Sequence, residues 1–195
     1  MNVTPLPETA IRRWTRVEYD RLIDLGVFQP GERLELLDGW LVVREPHSSG
    51  HSAAIRRVLT VLRRALGEGW QIDSQLPLAL DDLSEPEPDI SVVAESPDRY
   101  LHAHPSQPLL IVEVAQFSYR IDHEYKTSLY ARAAVPEYWI VDLVHETVEV
   151  HRQPEHAAGT RHGWRYGHVE TLRPPAAVAP LLAPERPIAV ADLLP

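Results

Sequence analysis

The segment Leu109–Gln116, LLIVEVAQ, sets one carboxylate, Glu113, inside an otherwise apolar run. Consecutive leucine, isoleucine and valine leave no polar face. Such a run reads as a strand covered on both sides, which demands a sheet with further layers above and below it. An isolated ionised glutamate is costly there and takes up a proton unless a partner meets it. Whatever this chain folds into must bring Glu113 a partner.

The surrounding pattern supplies the other elements. Thr15 to Leu25 reads as a short helix, with Thr15 as N-cap and Gly26 as stop. Leu34 to Arg44 reads as a hairpin: LELL, an Asp38-Gly39 turn, then WLVV. Residues 52–66 form an amphipathic helix with Ile55, Val58, Leu59, Leu62 and Leu66 on one stripe. Its arginines, Arg56, Arg57, Arg63 and Arg64, fall on the flanks. Strands are expected near 71–76, 89–94 and 109–114, then a helix over 121–134. A hairpin over 137–142 and 147–152 turns at His145-Glu146, and a last strand lies near 164–172. The proline-rich LRPPAAVAPLLAPERP is expected to wrap without forming a regular element. Strands and helices without strict alternation imply a mixed sheet with helices against it, an α/β (α+β) domain. A length of 195 residues suits a single domain.

Composition narrows the setting. The chain has no cysteine, which removes disulfides and thiolate metal sites and fits a reducing cytosol. MNVTPLPETAIRRW has no secretory pattern, and no apolar run approaches the ~20 residues of a membrane helix. A cytoplasmic protein is the expectation. The net charge of −9 argues against a simple nucleic-acid coat but permits a local basic face. Of the ten histidines, those between His102 and His168 read as solvated surface, since no two share a metal-clamp spacing. Tyr138 and Trp139 read as core or interface aromatics.

EPEPDISVVAE puts Asp89 directly after Pro88, at the start of an apolar strand. Glu113 lies near the end of the next one. If these strands are antiparallel neighbours, the two side chains stand ~5 Å apart. Carboxylates that close repel unless a proton or a cation lies between them. Mg²⁺, which takes oxygens at ~2.1 Å, would answer both problems, with the carbonyl of Val114 as a third donor. The plainer alternative has Asp89 capping its strand in water while Glu113 pairs with an arginine. Downstream, Asp122 and Lys126 fall four apart on one helix face, with Tyr130 in line. They are either a surface ion pair worth ~0.3–0.5 kcal/mol, or a lysine reaching over the sheet to position water or steady charge on a phosphate oxygen.

In order and spacing, GERLELLDGWLVVREPHSSGHSAAIRRVLTVLRRAL, PEPDISVV and LLIVEVAQFSYRIDHEYKTSLYARAAVPEYWIVD resemble the Uma-type restriction endonuclease family, part of the PD-(D/E)XK nuclease superfamily. The resemblance spans about residues 33–152, the expected core, with weaker similarity in IAVADLLP. It implies a restriction-endonuclease-like mixed central sheet flanked by helices, with Mg²⁺ or Mn²⁺ at the sheet's split end. The N-terminal helix and the proline-rich tail would pack on that core. By position, Pro88-Asp89 is the PD and Glu113 the acidic residue of the triplet. Glu35 is the upstream glutamate, His51 the recurrent histidine, and Asp122 and Lys126 the helical pair. The triplet's lysine position holds Ala115, so the resemblance makes Lys126 its replacement. The implied metal donors are Asp89, Glu113 and Val114. The implied activity is phosphodiester hydrolysis in nucleic acid, most naturally DNA, by a homodimer. The alternative is a non-catalytic accessory or nucleic-acid-binding protein that keeps the pocket. On the catalytic reading the four helix arginines could track a backbone; otherwise they are a solvated flank.

Overall fold

In a computed structural model, the described residues are 11–44, 48–95, 99–116 and 118–195. Residues 1–10, where no secretory leader is expected, lie outside them. Among the described residues, no helix is long and apolar enough to cross a membrane.

The chain begins with α1 (Arg16–Asp24), whose start is fixed by a capping box. The Thr15 hydroxyl accepts the Glu18 N–H at 3.3 Å, and the Glu18 carboxylate accepts the Thr15 N–H at 3.0 Å. A hairpin of β1 (Leu34–Leu37) and β2 (Trp40–Val43) follows. Asp38 and Gly39 form its turn with φ of 49° and 80°, the left-handed pair a tight hairpin requires. α2 (Ser49–Leu66) begins earlier than its apolar stripe implies. The reason is local: the Ser48 hydroxyl accepts the His51 N–H at 3.1 Å and caps the helix there.

Six strands form the central sheet in the order β3 (Trp70–Asp73), β4 (Ile90–Ala94), β5 (Leu110–Ala115), β6 (Glu137–Asp142), β7 (Thr147–His156) and β8 (Trp164–Leu172). β5 and β6 are parallel and every other neighbouring pair is antiparallel. One parallel step requires a crossover. It is supplied by a π-helical segment, Ile121–Lys126, that runs directly into α3 (Thr127–Arg132). β3 stops at Asp73, short of the expected strand end, and Gln75 just beyond it has a φ of 56°.

Along β5, Leu110, Val112 and Val114 enter the layer shared with α2, while Ile111 and Ala115 enter the layer shared with α3. The strand is thus covered on both faces, as its composition demands. Trp139 and Tyr138 are fully buried, one in each layer.

Two expectations are corrected. The tail is not free of regular structure: β9 (Ala177–Val178) pairs with β10 (Ile188–Ala189), and α4 (Val190–Leu193) follows. Its prolines keep these elements short, yet Val178, Ile188, Val190 and Leu193 still pack into the core layer beside α2. Nor are all the later histidines solvated. His151 is 2% exposed, because strand alternation turns it inward beside Glu149, 3.3 Å away. The His162 side chain is buried beside Asp38 and Tyr125. Burial pushes its pKa down to about 4, against the pull of Asp38.

Candidate active site

The pairing of Ile90 with Val112 sets Asp89 opposite Glu113 one step further along the antiparallel ladder. The Asp89 N–H donates to Glu113 Oε2 at 3.2 Å, and the Val114 N–H donates to Asp89 Oδ2 at 2.9 Å. The two acidic residues therefore meet at one end of the strand pair.

The direct partners of Glu113 come from the crossover. Its Oε1 accepts Lys126 Nζ at 3.0 Å and the Tyr130 hydroxyl at 2.8 Å. Lys126 Nζ also lies 3.1 Å from Glu35 Oε1 and 3.6 Å from Asp122 Oδ1. Its side chain is 5% exposed, so the Asp122–Lys126 pair is not a surface ion pair. Glu35 arrives on the β1–β2 hairpin and is held from its other oxygen by the Glu87 N–H at 3.3 Å. Asp122 accepts the Ser118 hydroxyl at 2.6 Å.

The wide turn at Ile121–Lys126 carries Asp122 and Lys126 together. The Thr127 N–H bonds to the Asp122 carbonyl, five residues back. That carbonyl also accepts the Thr127 and Tyr138 hydroxyls at 3.0 and 3.1 Å. π-turns of this kind recur at functional sites.

Asp89 has a separate set of contacts. His51 Nε2 is 3.0 Å from its Oδ2, and Gln75 donates to its Oδ1 at 3.3 Å. Arg44 lies 3.7 Å from Asp89 and 2.8 Å from Glu87. Glu35, His51, Asp89, Glu113, Asp122 and Lys126 all line one cavity of about 470 Å³. The structure brings every acidic, basic or imidazole candidate from the sequence to this place. Val114 does not line the cavity and meets the site through its N–H bond to Asp89. Arg56, Arg57, Arg63 and Arg64 are exposed on α2 and do not line the cavity.

Electrostatics sort these groups. Burial raises the Glu113 pKa above the ordinary carboxylate range; Lys126 opposes it, and the charges of Asp89 and Glu35 add to it. Burial likewise pushes Asp122 up to about 8, again against Lys126. Burial acts on Asp89 too, but the His51 hydrogen bond and charge, the Val114 N–H and Lys126 together hold it below its usual value. For Lys126, burial favours the neutral amine; Glu113, Glu35 and Asp122 outweigh it and keep the ammonium. Lys126 is a donor here, not a base. Among the described residues, no three histidine or acidic side chains are grouped to cage a metal ion by themselves.

Sequence reasoning missed Arg44, Gln75 and the bond from the Ser48 hydroxyl to Gln116 Oε1. Ser48 carried a signal, an N-cap position before an apolar stripe. Arg44 and Gln75 carried none.

Residues 16–190 match the family model Uma2, described as "Putative restriction endonuclease". The chain belongs to the Uma2 family. This bears out the resemblance drawn from the three sequence blocks and places the chain among the nucleases. No curated protein matches it. Among solved structures, the crystal structure of a "putative nuclease belonging to DUF820" from Anabaena variabilis ATCC 29413 is similar, with a TM-score of 0.65 and 20% sequence identity. The match covers 87% of this chain and 94% of that one. At that identity the likeness speaks for the fold alone: a mixed sheet flanked by helices, as expected.

Proposed function

We propose that this Uma2 protein hydrolyses phosphodiester bonds in DNA with the help of Mg²⁺ or Mn²⁺, as one domain that acts in a homodimer. The observation that carries this reading is the charge balance of the cavity. Glu35, Asp89, Glu113 and Asp122 all line it, and three of them share a single ammonium, Lys126. Arg44 is divided between Asp89 and Glu87. Such a buried cluster of carboxylates is relieved by protons, as the raised pKa values of Glu113 and Asp122 record, or by a cation that takes their place. The donors suit a hard one: Asp89, Glu113 and the Val114 carbonyl offer oxygen. Mg²⁺ commonly takes only one or two carboxylates and completes its shell with water, so a full protein cage is not required.

When bound, the ion would lower the pKa of a water and offset charge on the phosphate. The remaining tasks fall to the chain. Lys126, fixed by Glu35, Glu113 and Asp122, presents N–H donors that orient the attacking water or steady charge growing on a phosphate oxygen. Tyr130 holds Glu113 in place from the same side as Lys126. His51, next to Asp89, can accept a proton from water while its imidazole is neutral.

The test is cleavage of plasmid and of single-stranded DNA with Mn²⁺, comparing the original protein with Lys126→Ala. Loss of one such donor should slow cleavage by about 10²-fold or more. Equal cleavage by both proteins overturns the reading. Light scattering should give twice the 22.1 kDa chain mass; the chain mass itself removes the dimer.

A further inference from the structure

Among the described residues, four lysine or arginine side chains line the cavity: Arg44, Arg120, Lys126 and Arg161. Three of them are matched to carboxylates. Lys126 faces Glu35, Glu113 and Asp122, Arg44 holds Glu87 at 2.8 Å, and Arg120 pairs with Glu124 at 3.2 Å. Arg161 differs. Among the described residues it has no carboxylate partner; its guanidinium lies 5.0 Å from the centroid of the Tyr125 ring.

The position is built, not incidental. Arg161 sits in the turn between β7 and β8, which is closed by the Ala157 N–H to the Gly163 carbonyl at 2.9 Å and the Gly163 N–H to the Thr160 carbonyl at 3.2 Å. The Thr160 hydroxyl adds bonds to the Ala157 and Trp164 carbonyls at 2.9 and 3.0 Å. The next residue, His162, ties the turn to the body of the protein. Its N–H donates to the Ser128 hydroxyl at 3.2 Å, and its buried ring meets Tyr125 edge-on with centroids 4.8 Å apart. Tyr125 is itself held, its hydroxyl donating to the Leu37 carbonyl at 3.3 Å. Arg161 is exposed while lining the cavity, which puts it at the opening, above the buried carboxylates.

We propose that Arg161, braced by Tyr125, is a phosphate-binding subsite at the cavity opening, taking the phosphodiester group next to the one that reaches the buried carboxylates. This rests on the reading of the substrate as a nucleic-acid strand. A polyanion meets repulsion from a cavity lined by acidic groups, and a cation without a carboxylate counters it. A guanidinium that stacks on an aromatic ring does so with the face of its plane, whereas bidentate phosphate recognition uses its N–H edge. Tyr125 can therefore fix the orientation of Arg161 while its donors stay available. Lysine, with a point charge and no plane, would reproduce the attraction but not the forked bond.

The test uses the full chain and a short fluorescein-labelled single strand, titrated by anisotropy with EDTA present. Arg161→Ala should weaken binding about tenfold, and Arg161→Lys should restore part of the loss. Arg21→Ala, exposed on α1 and not lining the cavity, is the control and should change binding less than twofold, the effect of an ordinary surface site. The salt slope of Arg161→Ala should fall by about 0.7, the loss of one phosphate contact. In Mn²⁺, the same variant should raise KM about tenfold and leave kcat nearly unchanged. Equal effects of Arg161→Ala and Arg21→Ala, or no strand binding by the original protein, overturn the subsite. If the original protein cleaves DNA and Arg161→Ala matches it in KM, the subsite fails while the nuclease reading stands. If the original protein cleaves nothing yet its strand binding depends on Arg161, the nuclease reading fails and the subsite stands.

Discussion

Glu113 and Glu137 lie on the neighbouring parallel strands β5 and β6, and both are almost fully buried. Their surroundings are opposites. Glu137 Oε1 accepts Arg152 Nε at 2.8 Å, Arg152 Nη2 at 2.5 Å and the Trp139 indole N–H at 3.0 Å. Its Oε2 accepts the Leu181 N–H at 2.7 Å. One carboxylate meets one guanidinium, both oxygens are satisfied, and the cavity does not reach it. Glu113 instead competes with Glu35 and Asp122 for one lysine at the wall of a cavity. A buried charge alone does not mark a functional site. Charge left unbalanced beside space for a ligand does.

The contrast is broken most forcefully at Glu137. Glu137→Ala leaves a largely buried guanidinium without its counter-charge and should cost about 3 kcal/mol, the lower end for breaking a buried pair because Arg152 keeps some exposure. Urea unfolding measures it. Replacing both partners by apolar residues of similar volume should recover most of that loss. A loss below about 1 kcal/mol in the single variant, the range of an exposed pair, would remove Glu137 as the structural half of the comparison.

Magnesium sharpens the other half. At 10 to 100 times its dissociation constant it should stabilise the original protein by about 1.4–2.7 kcal/mol. Asp89→Asn, which keeps the side-chain shape, should lose that gain in thermal unfolding with and without the ion. Equal stabilisation of both proteins would mean that the acidic excess of the cavity is not what receives the cation.

What could be read from the amino acids follows from how far each signal extends. β5 announced itself because six apolar or small residues surround one glutamate, and the first hairpin because Asp38-Gly39 has few other uses. Asp89 and Glu113 could be placed together because antiparallel neighbours bring the start of one strand to the end of the next. The π-turn was not legible: one extra residue in a helical turn shifts the apolar period too little to see over Ile121–Lys126. Gln75 and Arg161 reach the site or its rim from irregular chain, where no period exists to betray them. His151 was hidden by its own strand: it alternates with Val148 and Val150 and shares the opposite face with Glu149, so the sequence reads as one apolar and one polar face although both are buried.

Glu85 tests the comparison from between its two extremes. It is 2% exposed, and Arg16 is its nearest cation at 4.0 Å, too far for a hydrogen bond; its Oε2 has no hydrogen-bond partner. Burial raises its pKa to about 7, Asp20 adds to the rise and Arg16 opposes it. The folded state thus binds this proton more tightly than the unfolded chain, where the group titrates near 4.5. The stabilising contribution is complete below about pH 4.5 and is lost as the pH climbs through about 7, with an upper bound of ~3 kcal/mol. Glu85→Gln keeps the shape, removes the titration and should flatten that part of the slope between about pH 5 and pH 8. An unchanged slope in the variant would mean that Glu85 is balanced after all. Asp122 titrates in the same direction at about 8, while His162, held at about 4 by burial, acts with opposite sign below about pH 6.5, so the fall surviving in Glu85→Gln above that pH is where the cavity contributes. Magnesium should reduce that remainder and leave the Glu85 portion untouched, because only the cavity groups adjoin the proposed ion.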